Sequence, residues 1–205
     1  MIIYKNISIK SLEDNKFLFE ISDYLQNEIF FNTFLKKINV NIDTFKITIF
    51  ADEINTLEHL FNSCKEIDCE NIFLFLSKQL KTLEKHNLTI PVYNLQDIIY
   101  FKIGDNYSYY FLNSSHIFNV DKSRNIIINK LFIKNEFTSN ELQNLYEIPD
   151  TSILVTASYW SLAKITEYCL KKIDKTLFDI KYSKLYWALK KCLEQNPNHR
   201  YLIFI

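Results

Sequence analysis

At 205 residues the chain suits one domain and can bury a core without disulfides or metals. Its 24 basic and 24 acidic residues cancel, so no global field draws it to nucleic acid, membrane or an acidic partner, and any such binding is local. Apolar residues at 48% and aromatics at 16% exclude a disordered chain, and a single glycine, Gly104, excludes the glycine-rich phosphate loops whose backbone must approach an anion closely.

Ser11-Leu12-Glu13-Asp14 reads as a helix N-cap with acids in the first turn. Phe17, Ile21, Tyr24 and Leu25 follow at helical spacing and predict a first helix of about sixteen residues. Phe45 to Phe50 alternates as a strand, and Asn55 with Glu58 makes a capping box for a short helix carrying Leu57, Leu60 and Phe61. From Cys69 to Asn87, Phe73, Leu76, Leu80 and Leu83 mark an amphipathic helix, with Lys85 and His86 in its last turn and Asn87 at a left-handed cap. Ile98 to Ile103 and Tyr107 to Leu112 read as a hairpin turned by Gly104-Asp105-Asn106. Residues 114 to 145 read as loop with scraps of strand. The stretch from Ser158 to Leu170 is apolar almost all round, the mark of a buried helix, and helical stretches follow near 176–181 and 183–194.

Cys64, Cys69, Cys169 and Cys192 contain no C-x-x-C pair and, with four scattered histidines, no zinc spacing, so they read as buried thiols in a reducing compartment. No signal peptide or membrane-spanning run is visible, which predicts a cytoplasmic protein. Basic and aromatic residues between Lys171 and Lys191 could stack on bases or meet phosphates. The simpler expectation is a solvated helix whose lysine stems cover an aromatic core face.

Two frames near the C-terminus carry a resemblance. Ser158-Tyr159-Trp160-Ser161-Leu162-Ala163 is similar to the D-x-W-S-L-G opening of the central helix of protein kinases, and Cys192-Leu193-Glu194-Gln195-Asn196-Pro197-Asn198-His199-Arg200 resembles their late C-L-x-x-D-P-x-x-R. Tyr146-Glu147-Ile148-Pro149-Asp150 resembles Y-x-A-P-E. The resemblance implies an α+β, mainly α fold, a kinase-like C-lobe with a truncated N-lobe remnant. One pseudokinase domain would then fill 1–205, with the N-lobe remnant and an αC-like helix in 1–51 and the C-lobe in 52–205. It also implies a structural ion pair between Asp150 and Arg200, and it places Glu20 at the αC glutamate, with Lys5 or Lys10 imitating its lysine.

The same alignment puts Val92 on the catalytic aspartate, Asp97 on the metal-binding asparagine, Asn113 on the metal-binding aspartate and Ser158 on the central-helix aspartate. Valine cannot accept a hydroxyl proton and a neutral amide is a weak ligand for Mg²⁺, so the resemblance implies no catalysis, no cofactor and no metal. The hinge-like Phe45 to Phe61 is similar to that of mixed-lineage kinase domain-like proteins, and the Ile, Asn, Lys, Tyr and Phe content resembles the coding bias of AT-rich genomes such as those of some poxviruses. The implied role is a decoy that binds a kinase domain, a receptor-interacting kinase, and blocks necroptosis, with no nucleic-acid or membrane partner. The alternatives are a divergent active phosphotransferase recruiting metal through Asp97 and Asp105, and a C-lobe scaffold for a non-kinase partner.

Overall fold

The computed structural model describes residues 2–4, 7–13, 15–21, 40–43, 46–62 and 68–203. Among them the chain is α+β, with helices and three small antiparallel sheets. The first sheet comprises β1 (Ile2–Tyr4), β2 (Ile7–Glu13), β3 (Lys16–Ile21), β4 (Val40–Asp43) and β5 (Lys46–Phe50) in the order β1-β2-β3-β5-β4. Ile9 and Ile49 from this sheet are buried in the main core.

The expected first helix, and with it the αC-like helix, is replaced over 11–21 by the β2–β3 hairpin. Asn15 sits between its strands at φ 61°, a left-handed conformation that asparagine tolerates and a helix interior excludes. The apolar residues also fit a period of two, since Ile9 pairs with Phe19 and Ile7 with Ile21, and β3 then pairs with β5 along its length. Ladder hydrogen bonds on both sides of β3 outweigh a local helical preference. Tyr24 and Leu25, like Lys5, Phe45 and Cys64, lie outside the described residues.

β6 (Glu53–Thr56) leads into α1 (Leu57–Asn62), capped by Thr56 and not Asn55: Thr56 Oγ1 accepts the His59 N–H at 3.2 Å, while Asn55 Oδ1 accepts that of Thr56. The helix α2 (Cys69–Lys85) starts at Asp68, whose carboxylate accepts the Asn71 N–H at 3.0 Å. It ends as its sequence predicts, with Asn87 at φ 55°. Leu57, Leu60, Phe73, Leu76 and Leu80 are fully buried, each stabilising the fold by about 1.5–3 kcal/mol relative to exposure.

After β7 (Leu88–Thr89) comes the expected hairpin of β8 (Ile98–Ile103) and β9 (Asn106–Phe111), with Gly104 at φ 59° in its turn and β6 paired to the outer side of β8. The polar stretch beyond it yields β10 (Phe118–Val120), β11 (Ile126–Ile127) and α3 (Asn140–Gln143). Next come α4 (Ala157–Lys172), buried over most of its surface, and α5 (Lys184–Cys192). Residues 176–181 form turns where a helix is expected. Asp179 accepts both the N–H and the hydroxyl of Thr176 at 2.7 Å, a side-chain turn that competes with helix.

Gln79 joins the helical layer to the hairpin. It is 2% exposed; its Nε2 donates to the Tyr109 carbonyl at 3.0 Å and its Oε1 accepts the Phe111 N–H at 3.0 Å. Gln79→Leu leaves a buried carbonyl and a buried N–H unsatisfied, at about 1–3 kcal/mol each. Urea denaturation of the variant should therefore show a loss of about 2–6 kcal/mol with an unchanged slope.

Candidate functional site

The pairing of β7 with β10, Thr89 opposite Phe118 and Leu88 opposite Asn119, together with the β8–β9 hairpin, sets residues 90–97 beside residues 112–117. Two of the positions singled out in sequence meet there. Asp97, 5% exposed, accepts from Asn113 Nδ2 at Oδ1 (3.0 Å) and from Asn94 Nδ2 at Oδ2 (2.9 Å). Asn113 turns its own oxygen to the N–H of Ser115 at 3.1 Å and to the Ser115 hydroxyl. Asn94 is held in turn by Asn135, which also donates to the Tyr93 carbonyl at 2.8 Å. His116 Nδ1 lies 3.2 Å from Asp97 Oδ2, but too far off axis for a hydrogen bond. Side-chain amides thus donate to both oxygens of Asp97, and Ser115 donates to that of Asn113.

Val92 is fully buried in a small cluster with Phe118, Ile126, Ile128, Leu142 and Ile153, so its side chain faces core and not a cleft. Ser158, also fully buried, shares a 2.7 Å hydrogen bond with Thr89, and Ser161 donates to the Pro91 carbonyl at 2.7 Å. The central helix therefore holds the 89–91 segment through hydroxyls.

The expected ion pair is corrected. Arg200 has a side chain 1% exposed and pairs with Glu141, not Asp150. Its Nε donates to the Glu194 carbonyl at 2.7 Å and its NH2 to that of Gln195 at 3.2 Å, while the guanidinium lies 4.7 Å from the Trp160 ring centroid. Asp150 instead accepts from the N–H and hydroxyl of Ser152 and forms a backbone bridge to Ile128. That bridge fixes Asp150 in a turn of its own, and the partner acid comes from α3, nine residues earlier in the chain.

Glu20 stands on β3, opposite Ser8, and pairs across the hairpin with Lys10 at 2.7 Å. With both side chains partly exposed, the pair is worth about 0.2–1 kcal/mol. Asp97 and Asp105, a possible metal pair from sequence, stand at opposite ends of the six-residue strand β8, about 20 Å apart, so one ion cannot bridge them. Burial pushes the thiols of Cys69 and Cys192 up to about 12 and that of Cys169 well up too, which removes the nucleophilic thiolate at neutral pH. No group of three or more metal-ligating side chains occurs among the described residues.

Sequence reasoning missed Glu141, Gln79 and a third contact at the end of α2. There Arg124, at φ 66°, donates to the Tyr159 hydroxyl at 2.9 Å and to Glu84 at 3.4 Å. Burial, then Glu84, pushes the Tyr159 hydroxyl well above its ordinary range, so it stays protonated. Only Glu141 left a local signal, the acid two residues after Ser139 at the start of a short helix.

No family model matches the chain, and a search of characterised proteins finds none significantly similar in sequence.

The assignment of the Arg200 partner is open to a direct test by thermal and urea unfolding. Glu141→Ala leaves the buried guanidinium without its carboxylate and should destabilise the protein by about 3–5 kcal/mol, with Arg200→Ala similar. Asp150→Ala should cost about 1 kcal/mol, the worth of its turn hydrogen bonds.

Proposed function

We propose that the chain is a catalytically inactive, protein kinase-like module that acts by binding a protein partner, a kinase domain of the receptor-interacting class. The observation that carries this reading is the Asp97–Asn113 contact. The two positions that the kinase resemblance assigns to metal binding stand side by side, as a shared ion would require, yet their acid and amide are exchanged and hydrogen-bonded to each other. A hard dication usually takes one or two carboxylates together with other oxygens, and here Asp97 is the one carboxylate of the pair, each of its oxygens already accepting an amide proton. Val92, at the position of the general base, supplies no proton acceptor.

Support for a kinase-like arrangement comes from the order of elements: a long helix, a strand, the 90–97 loop, a hairpin, the 112–117 loop, and a buried central helix bonded to the first loop. Trp160 and Arg200, taken from the two C-terminal frames, meet in one contact, as their proposed architectural roles require.

The partner surface is best placed on residues 131–148. Leu131, Ile133 and Tyr146 are 89%, 77% and 91% exposed. Lys134 ties the two stretches together by donating to the carbonyls of Gln143 at 2.8 Å and Leu145 at 2.7 Å. Apolar and aromatic side chains held on an anchored backbone are suitable hot-spot residues.

Millimolar MgATP should leave the melting temperature unchanged, since only a ligand that binds the folded state raises it; a rise of several degrees would sink the reading. Asn113→Asp sets a second carboxylate against buried Asp97 and should lower the melting temperature, with Mg²⁺ restoring part of the loss in the variant alone. On co-expression in human cells the protein should capture a receptor-interacting kinase without added nucleotide. Leu131→Asp with Tyr146→Ala should cut that capture at least about tenfold. Normal folding with no enrichment of any kinase would reject the partner assignment while leaving the inactive-module reading to the nucleotide test.

A further inference from the structure

The turns at 173–183 and helix α5, adjacent in the chain, pack Ile173, Leu177, Ile180 and Leu185 on the core and leave outward side chains that the proposed function does not use. On α5, Leu185, Ala188, Leu189 and Cys192 are buried, which leaves Lys184, Trp187 and Lys191 on one outward stripe with Lys190 beside it. Between residues 171 and 191 stand seven lysines and two aspartates; Lys191 pairs with Glu194 at 3.4 Å and Lys175 lines a groove with Asp68, Glu70 and Asp105, which leaves Lys181, Lys184 and Lys190 as the lysines nearest the exposed rings. Asp179 is already engaged by Thr176. Three rings project from the same stretch: Phe178 is 71% exposed, Tyr182 90% and Trp187 52%. The expectation that lysine stems would cover an aromatic core face fails for these three, since they cover no core.

We propose that this face docks the protein onto an anionic lipid surface. Lysines supply attraction to the headgroups, and rings beside them supply apolar area that enters the interface, the combination that peripheral membrane segments use. The neutral net charge conceals this local excess, which is why the balance of charge alone gives no sign of it. The ring geometry favours lipid over single-stranded nucleic acid. Lys181 Nζ lies 4.2 Å from the Phe178 ring centroid and 5.0 Å from that of Tyr182, and Lys190 Nζ lies 5.3 Å from that of Trp187. An ammonium group occupies a face of each ring, where a base would have to stack. Rings entering among headgroups need no open face, and the ammonium groups beside them meet lipid phosphates directly. The stretch contains no arginine, the side chain best suited to bidentate phosphate recognition.

The test is partition of the whole protein onto phosphatidylcholine vesicles with and without phosphatidylserine, read by sedimentation and by tryptophan emission. Trp160 is 6% exposed beneath Arg200, so a blue shift on binding reports on Trp187. Binding should require phosphatidylserine and weaken as salt is raised. Each of Lys184→Gln and Lys190→Gln should weaken it about fivefold. Phe178→Ser with Tyr182→Ser should weaken it at constant charge, which diffuse electrostatics would not. No partition onto phosphatidylserine vesicles at low salt, partition indifferent to the ring substitutions, or tighter ring-dependent binding to a single-stranded oligonucleotide would each overturn the proposal. None of these outcomes bears on nucleotide or kinase binding, so this proposal and the previous one fail separately.

Discussion

Four consecutive residues of α4 tie together three separate segments of the chain. Successive positions on a helix turn by about 100°, so residues 158–161 face four directions, and because the helix is buried on nearly every side each polar group must find a partner there. Ser158 meets Thr89, Tyr159 meets Arg124, Trp160 lies against Arg200, and Ser161 meets the Pro91 carbonyl. One turn of helix thereby fixes the loop after β7, the turn between β10 and β11, and the chain beyond α5. Its near-continuous apolar sequence follows from this position, since an amphipathic helix would present a polar face to an interior that has no water to receive it.

The two most buried charges of this region are handled by opposite means. Arg200 is countered by a carboxylate, two backbone carbonyls and an aromatic face, so its desolvation is offset on all sides. Asp97 instead accepts from the side-chain amides of Asn94 and Asn113, with the His116 ring nitrogen 3.2 Å from Oδ2. Asn94 and Asn113 are in turn anchored through Asn135 and Ser115, so the network is held from outside as well as within.

Legibility in the sequence followed the strength of local signals. The helix at 69–85 and the hairpin at 98–111 were readable because their periods agree with Asn87 and Gly104 at their ends, both in the left-handed conformation their types favour, whereas the helix at 157–172 was readable from its apolar run alone. The stretch from Ser11 to Ile21 satisfies two periods at once: Phe17 and Ile21 fit a helix, and Phe17, Phe19 and Ile21 fit a strand. The choice between them is made by pairing with β5, which lies more than two dozen residues away. Of the residues singled out in sequence, Asp97 meets Asn113 and Trp160 meets Arg200, yet the acid that pairs with Arg200 was not readable. Asp150 is taken up by its own turn with Ser152, a local contact that the letters of Tyr146 to Asp150 do not reveal. Gln79 left no trace at all, because its partners are backbone groups some thirty positions away.

A rigid interior and exposed anchors are linked energetically. Binding through flexible segments carries an ordering cost of about 0.5–1.5 kcal/mol for each immobilised long side chain, in addition to any loop ordering. Here the segment that carries Leu131, Ile133 and Tyr146 is restrained before any partner arrives: Lys134 bonds two carbonyls of the 143–145 stretch, the Ile128–Asp150 bridge closes its base, and Glu141 anchors α3 to buried Arg200. Breaking the Arg200 contact should therefore weaken partner binding even in molecules that remain folded, because the anchors would have to be ordered on association. The fold devotes Glu141 and buried Arg200 to holding loops, and the segment they anchor presents its apolar side chains on a backbone already restrained.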